Sequence, residues 1–182
     1  METYIALFRG INVGGNNRLA MKDLVAALES VGARDVATYI QSGNAVFLSE
    51  ETDTTLLSDR TRDAIRESHG FEPRVFVLRS GELERVVKSN PFPEAELEPK
   101  TLHVYFLAAP PERPDLDGLQ RIKGDTESFA LHDGLFYLHA PDGIGRSKLA
   151  ANAEKHLGVP VTARNWRTVL KVMEMANATA GA

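Results

Sequence analysis

Residues 129–138 read FALHDGLFYL, two apolar and β-prone runs on either side of an Asp-Gly dipeptide. Asp133 and Gly134 can supply the positive φ angles of a two-residue turn, so the stretch predicts a β-hairpin. Pairing across that turn places His139 opposite Ser128. The hairpin is the clearest local folding signal in the chain.

The sequence on either side of the hairpin predicts the rest of a split βαβ unit. Residues 102–108 are almost continuously apolar, as in a strand buried on both faces, and residues 116–122 predict a short helix. After the hairpin come a helix from Ser147 to Leu157, an extended run over 159–163 and a last helix over 165–178. This order of elements is that of the ferredoxin-like α-β plait.

The first half of the chain predicts the same order. Strands are expected over 4–8, 36–41, 45–48 and 74–79, and helices over 21–31 and 54–69. We therefore predict an α+β fold of two tandem ferredoxin-like (α-β plait) subdomains plus a C-terminal helix. Residues 1–90 form the first subdomain with its following helix, 91–100 an acidic, proline-bearing linker, and 101–182 the second subdomain with the C-terminal helix.

Composition limits the class of protein. Of 182 residues, 43% are hydrophobic and 25% are charged, which is typical of a globular protein. The chain has no cysteine, which excludes disulfides, thiolate metal sites and cysteine nucleophiles. No apolar run is long enough to cross a bilayer, and no signal peptide is evident. We expect a cytoplasmic protein without membrane association.

Charge is unevenly distributed along the chain. The formal net charge is −4, which argues against a protein that coats nucleic acid with its whole surface. Residues 146–171, however, contain one acid, Glu154, against six basic side chains: Arg146, Lys148, Lys155, Arg164, Arg167 and Lys171. This basic segment is the candidate for binding an anion.

The loop RGINVGGNNR, residues 9–18, lies between a predicted strand and a predicted helix, where glycines and backbone N–H groups can surround an anion. Asn16 and Asn17 stand where a Walker loop needs Lys and Ser or Thr, so ATPase chemistry is not indicated. Alternatively, the glycines only satisfy turn geometry. The candidate binding residues are Arg9, Asn12, Gly14, Gly15 and Arg18.

The turn YIQSGN, residues 39–44, places Gln41, Ser42 and Asn44 at a strand junction. These side chains can hydrogen-bond a ligand or cap their own turn.

Two further segments lie in the second half. In GIGRSK, residues 143–148, Ser147 is a predicted N-cap with Arg146 and Lys148 beside it, a place where a phosphate or carboxylate would fit. The alternative is a capped helix with solvated charges.

In TARNWRT, residues 162–168, Trp166 begins an apolar stripe and is predicted to lie in the core. Arg164, Arg167 and Lys171 are predicted to share the opposite helical edge, where they contact phosphates or form ordinary surface ion pairs. Because no acids are evident at matching positions, phosphate contacts are preferred.

Other catalytic or metal-binding patterns are not evident. The five histidines lack metal-ligand spacing, so we predict no metal, and Ser42 and Ser147 lack a nucleophile elbow. We assign no cofactor and no catalytic residue.

Taken together, Arg9–Gly15, Tyr39–Asn44, Gly145–Lys148 and Arg164–Thr168 resemble motifs of the bacterial family named domain of unknown function sixteen ninety-seven (DUF1697). The resemblance runs nearly end to end and implies two tandem plaits, with the four loops, including Asn165, as family hallmarks. It implies no catalytic role. Asn16-Asn17-Arg18 departs from the lysine-containing form of this loop, and Arg18 would supply the basic contact.

The preferred hypothesis is an anion-binding protein whose loops meet in a cleft between the subdomains and hold a nucleotide, a phosphorylated metabolite or a nucleic-acid backbone. A metal-independent enzyme acting on a small anionic substrate is the second hypothesis. The third is a structural or protein-interaction module. No particular protein partner is indicated.

Overall fold

The computed structural model describes residues 1–181 and contains eight strands and six α-helices in that range. The strands are β1 (Glu2–Arg9), β2 (Arg34–Tyr39), β3 (Asn44–Ser49), β4 (Arg74–Arg79), β5 (Leu102–Leu107), β6 (Ser128–His132), β7 (Leu135–His139) and β8 (Val161–Asn165). The helices are α1 (Met21–Ser30), α2 (Thr54–His69), α3 (Ser80–Lys88), α4 (Leu116–Ile122), α5 (Lys148–Leu157) and α6 (Trp166–Ala180). Short 3₁₀ helices cover Pro93–Leu97 and Ile144–Arg146.

The chain forms two compact units. Unit 1 contains Met1–Glu84 and the chain from Lys171 onward, and unit 2 contains Arg85–Leu170. The linker and subdomain boundaries expected from the sequence, at 1–90, 91–100 and 101–182, stay predictions.

Each unit contains one four-stranded antiparallel sheet. The strand orders are β2-β3-β1-β4 in unit 1 and β6-β7-β5-β8 in unit 2. In both sheets the first strand along the chain is central, because it pairs with the third and the fourth. The fold is therefore mixed α+β, as predicted.

The core of unit 1 lies between its sheet and helices α1 and α2. Alternate β1 residues Tyr4, Ala6 and Phe8 pack against α1 and α2, which contribute Leu28 and Leu57 among others. This follows from the period of two along a strand and 3.6 along a helix. Burying each large apolar side chain contributes about 1.5 to 3 kcal/mol.

The core of unit 2 is built in the same way. Tyr105 and Phe136 meet edge to face at 5.3 Å between ring centroids, and Leu119 of α4 and Leu149 of α5 pack with them. The predicted hairpin is confirmed: Ser128 pairs with His139, and the turn residues Asp133 and Gly134 have φ angles of 50° and 74°.

Strand β2 is an edge strand with an irregular pairing. Its register with β3 shifts between Arg34 and Ala37, where Asp35 has a φ of 51°. At the other end Ile40 also has a φ of 51°, which ends the strand at Tyr39 instead of at the predicted Gln41.

Strand β8 differs from its prediction. It begins at Val161 and runs to Asn165, two residues later than expected at both ends. Pairing with β5 explains the shift, since Val104 lies opposite Arg164 and His103 opposite Asn165. The prediction that Arg164 lies on a helix is therefore wrong.

No helix among residues 1–181 has the length and apolar character needed to cross a membrane.

His103 on β5 is a buried titratable group. Its side chain is buried, its Nδ1 atom has no hydrogen-bond partner, and burial lowers its pKa below the ordinary 6.5. The unfolded chain therefore takes up a proton on this residue before the folded chain does as the pH falls.

We predict that His103 destabilises the fold as the pH drops from 7 through 6.5 toward the lowered pKa. The variant His103→Leu should lose this part of the pH dependence, because it cannot bind the proton. Urea unfolding of both proteins from pH 7 to 5 measures it. Parallel free-energy curves for the two proteins would contradict the prediction.

Candidate functional site

Two of the predicted motifs meet in unit 1. The Asn12 side chain donates from Nδ2 to the carbonyl oxygens of Gln41 and Leu19, both at 2.9 Å, and its Oδ1 accepts from the Leu19 N–H at 2.9 Å. We call residues 9–18 and 39–44 the joined loops. The Asn12 amide, predicted to contact ligand, instead holds the two loops together.

A close backbone approach completes the junction. Gly43 has a φ of 81°, and a Cβ atom there would lie 2.6 Å from Ile11 Cδ1 and 2.7 Å from Phe8 Cβ. The Phe8 N–H donates to the Gly43 carbonyl at 2.8 Å. Glycine is required at this position both for the backbone angle and for the space.

The loop over residues 9–18 folds back on itself. The Asn12 N–H donates to the Asn17 carbonyl and the Asn16 N–H to the Val13 carbonyl, both at 3.0 Å, and Asn17 Nδ2 donates to the Gly10 carbonyl at 2.8 Å. Gly14 and Gly15 form the exposed tip, with φ angles of 58° and 81°. The loop is ordered by its own hydrogen bonds.

The polar side chains of the loop over residues 39–44 differ in burial. Asn44 is fully buried and donates from Nδ2 to the Tyr39 carbonyl at 2.9 Å and to Ser42 Oγ at 3.3 Å. Gln41 and Ser42 are exposed, and the Gln41 side chain has no hydrogen-bond partner among residues 1–181. Asn44 therefore shapes the turn, while Gln41 faces solvent.

Sequence reasoning missed two apolar residues of the joined loops. Val13 is 66% exposed, and Ile40 is 50% exposed with a left-handed backbone. A positive φ is uncommon for any non-glycine residue and a real outlier for a β-branched one. The β-prone residues that precede Ile40 predicted a strand through this position and not a left-handed residue.

The joined loops contain arginines, and neither they nor the residues next to them in the sequence contain an acid. Residues 3–22 and 36–49 contain no Asp or Glu. Arg18 is exposed and has no ion pair or hydrogen bond within the described chain. Arg9, at the exposed end of β1, lies opposite Arg74 of β4.

The start of α5 in unit 2 has the predicted cap. Ser147 Oγ accepts from the Ala150 N–H at 2.9 Å, and the first turn has no acid. Arg146 and Lys148 are exposed, and neither has an ion pair in the range 1–181. Asp142, the acid closest before them in the sequence, accepts from Thr126 Oγ1 at 2.7 Å.

The predicted basic edge around α6 is not found as a set. Arg164 lies on β8, donates to Thr162 Oγ1 at 2.9 Å and to the Ala163 carbonyl at 2.8 Å, and burial lowers its pKa to about 10. Lys171 has an acid partner, Glu174, at 2.8 Å, so the expectation of no matching acid was wrong.

Three other residues of that segment, Asn165, Trp166 and Arg167, have separate positions. Asn165 Oδ1 accepts from the Thr168 N–H at 2.9 Å and so caps α6. Arg167 is exposed, and its side chain has no partner within residues 1–181. Trp166 is fully buried, as the apolar stripe predicts.

An Asp-His pair that no sequence pattern predicted joins α4 to α5. His156 Nδ1 lies 2.8 Å from Asp115 Oδ2, and Asp115 Oδ1 accepts from the Gly118 N–H at 2.8 Å. These contacts lower the pKa of Asp115, the backbone hydrogen bond most. Asp115 also caps α4, which makes the pair a link between the two helices.

Comparisons with known proteins give a family and a fold. A family described as "Protein of unknown function (DUF1697)" matches residues 1–137. The chain is similar to a solved structure described as that of conserved bacterial protein SP0830 from Streptococcus pneumoniae, at 24% identity and a TM-score of 0.67. That likeness covers 96% of this chain and 98% of the other, and shows the fold alone. No curated protein matches.

We predict that Gly43→Ala lowers the free energy of unfolding by about 2 to 4 kcal/mol, because it adds a steric clash to the cost of a left-handed alanine. Gly15→Ala is the matched control, since Gly15 has the same φ of 81° but open space around it. It should cost about 1 kcal/mol. Equal losses in urea unfolding would show that the packing against Phe8 and Ile11 carries no weight.

We also predict that Asn12→Asp lowers the free energy of unfolding by about 1 to 3 kcal/mol, because a carboxylate cannot donate to the carbonyls of Leu19 and Gln41. Asn16→Asp adds the same charge at an exposed neighbour whose side chain forms no hydrogen bond within the described chain. Thermal unfolding of the two variants compares them. A smaller loss for Asn12→Asp than for Asn16→Asp would contradict the role given to Asn12.

Proposed function

The chain belongs to the family DUF1697, as its motifs predicted, and from that premise we propose that it binds a small phosphate-bearing ligand at the joined loops of unit 1. The observation that carries this proposal is the exposed Arg18, without a counter-charge in the described chain, in the same loop as the exposed glycine tip.

The glycine tip can supply neutral donors beside that cation. The backbone N–H groups of Gly14 and Gly15 form no hydrogen bond with any residue in the range 1–181. Exposed N–H groups of glycines in left-handed backbone commonly bind anionic oxygens. An arginine in the same loop can add charge-assisted hydrogen bonds, which are stronger than neutral ones.

The joined loops are held in place before any ligand arrives. Asn12 and Asn17 use their side-chain amides on backbone carbonyls, so the tip keeps its shape without a bound anion. A preorganised site loses less conformational entropy on binding than a mobile loop does. This supports a binding role for the exposed groups, and a framework role for the asparagines.

The start of α5 is a second candidate for the same function. Arg146 and Lys148 flank the Ser147 cap, and a helix N-terminus favours an anion. This candidate has an independent test, because Arg146 and Arg18 belong to different units.

We infer that each unit is a ferredoxin-like plait. The support is the strand order, which is second, third, first, fourth in both sheets, together with the order strand, helix, strand, strand, helix, strand. The absence of cysteine supports the further expectation of a reducing, cytoplasmic location.

We predict that Arg18→Ala weakens binding of phosphate compounds about tenfold, the loss of one charge-assisted contact at an exposed site. Isothermal titration with pyrophosphate, ribose 5-phosphate and AMP measures it. Arg34→Ala, which removes an exposed and unpaired arginine of the same unit, is the matched control and should bind as the parent does.

The same titrations separate the alternatives. Binding that Arg146→Ala weakens and Arg18→Ala does not would place the anion at α5. Binding unaffected by either variant would overturn both sites. Loss of ligand in mass spectrometry after incubation with the bound compound would favour an enzyme over a binding protein.

A further inference from the structure

We propose that the ligand of the joined loops is a nucleoside phosphate, with its base packed on the exposed side chains of Val13 and Ile40. This inference rests on the proposed function and adds the chemical class of the ligand. Val13 and Ile40 expose 66% and 50% of their surfaces.

The two apolar side chains belong to one junction. Val13 follows Asn12 in the chain, Ile40 precedes Gln41, and the Asn12 amide bonds the Gln41 carbonyl at 2.9 Å. One loop therefore carries Val13 and Arg18, and the hydrogen bond from Asn12 to Gln41 joins it to the loop that carries Ile40. A ligand seated there meets apolar surface and a cation together, which suits a flat ring that carries a phosphate.

Ile40 is an unexpected residue for its backbone conformation. Its φ of 51° is readily adopted by glycine or asparagine, whereas a β-branched side chain is strained there. An exposed isoleucine also gains little from burial in the fold. Strained residues of this kind concentrate at binding sites, where the side chain has a use that its local conformation does not explain.

Gln41 provides polar groups suited to the edge of a base. Its exposed amide has no partner within residues 1–181, so both its donor and its acceptor are available. The hydrogen bond from Asn12 to the Gln41 carbonyl fixes the backbone of Gln41 and so restricts the position of its side chain. Amides of this kind pair with the donor and acceptor edges of nucleobases.

Other phosphate compounds fit these features less well. A phosphorylated sugar has no flat apolar ring for Val13 and Ile40. A nucleic-acid strand would need a run of cations, whereas residues 3–22 supply Arg9, Arg18 and Lys22 in a chain of net charge −4. A mononucleotide fits these groups: its phosphate suits the one cation, the face of its base suits the two apolar side chains, and the edge of its base suits the free amide.

Titration calorimetry with AMP, GMP, CMP and UMP, compared with ribose 5-phosphate and inorganic phosphate, tests the inference. At least one nucleotide should bind the parent protein ten times more tightly than ribose 5-phosphate does. Ile40→Asn should remove that advantage and leave ribose 5-phosphate binding unchanged, since asparagine adopts the same backbone angle. Its melting temperature, equal to or above that of the parent, shows that the fold is intact.

The control is Leu97→Ser, which removes another exposed apolar side chain, 88% exposed, from unit 2. It should leave the preference for nucleotides unchanged. Equal affinity for nucleotides and ribose 5-phosphate, or a preference that survives Ile40→Asn, would overturn the inference while dependence on Arg18 keeps the proposed function. Binding that is insensitive to Arg18→Ala would overturn both.

Discussion

The hydrogen bonds of one side-chain amide determine the arrangement of the candidate site. Asn12 bonds the backbone on both sides of a junction between two loops that are far apart in the sequence, and Gly43 allows the chain to pack directly on Phe8 and Ile11. Because β1 ends and β3 begins at this junction, the antiparallel pairing of these two inner strands places both loops at the same end of the sheet. The exposed groups, Arg18 and Gln41 among them, depend on that framework for their positions.

The fold was predictable where local signals were strong. The Asp-Gly turn set the register of β6 and β7. The predicted bounds of α2, 54–69, agree with the structure, in which Asp53 caps the start of the helix and the left-handed Gly70 ends it. Prediction failed where pairing between distant residues decided the outcome. Strand β8 extends to Asn165 because β5 offers partners there, and no local pattern records that pairing.

The sequence was sufficient to predict which loops form the candidate site, but not which contact each side chain makes there. Asn12 and Asn44 were expected to face a ligand, yet both amides turn toward backbone carbonyls, and such orientation depends on contacts distant in sequence. The exposed, left-handed conformation of Ile40 was not predicted, because the β-prone residues before it favoured a strand that continues through this position. The ion pair of Lys171 could have been predicted, because Glu174 lies only three residues further along the helix.

The left-handed residues at the two ends of β2 also affect how this chain behaves beside copies of itself. Asp35 interrupts the pairing near one end, and Ile40 stops the strand at the other, so the β2 edge of the unit 1 sheet offers only a short and irregular row of backbone groups. An edge of that kind is a poor template for adding a foreign strand. The left-handed conformation that exposes Ile40 thus also makes the β2 edge a poor place for another strand to pair.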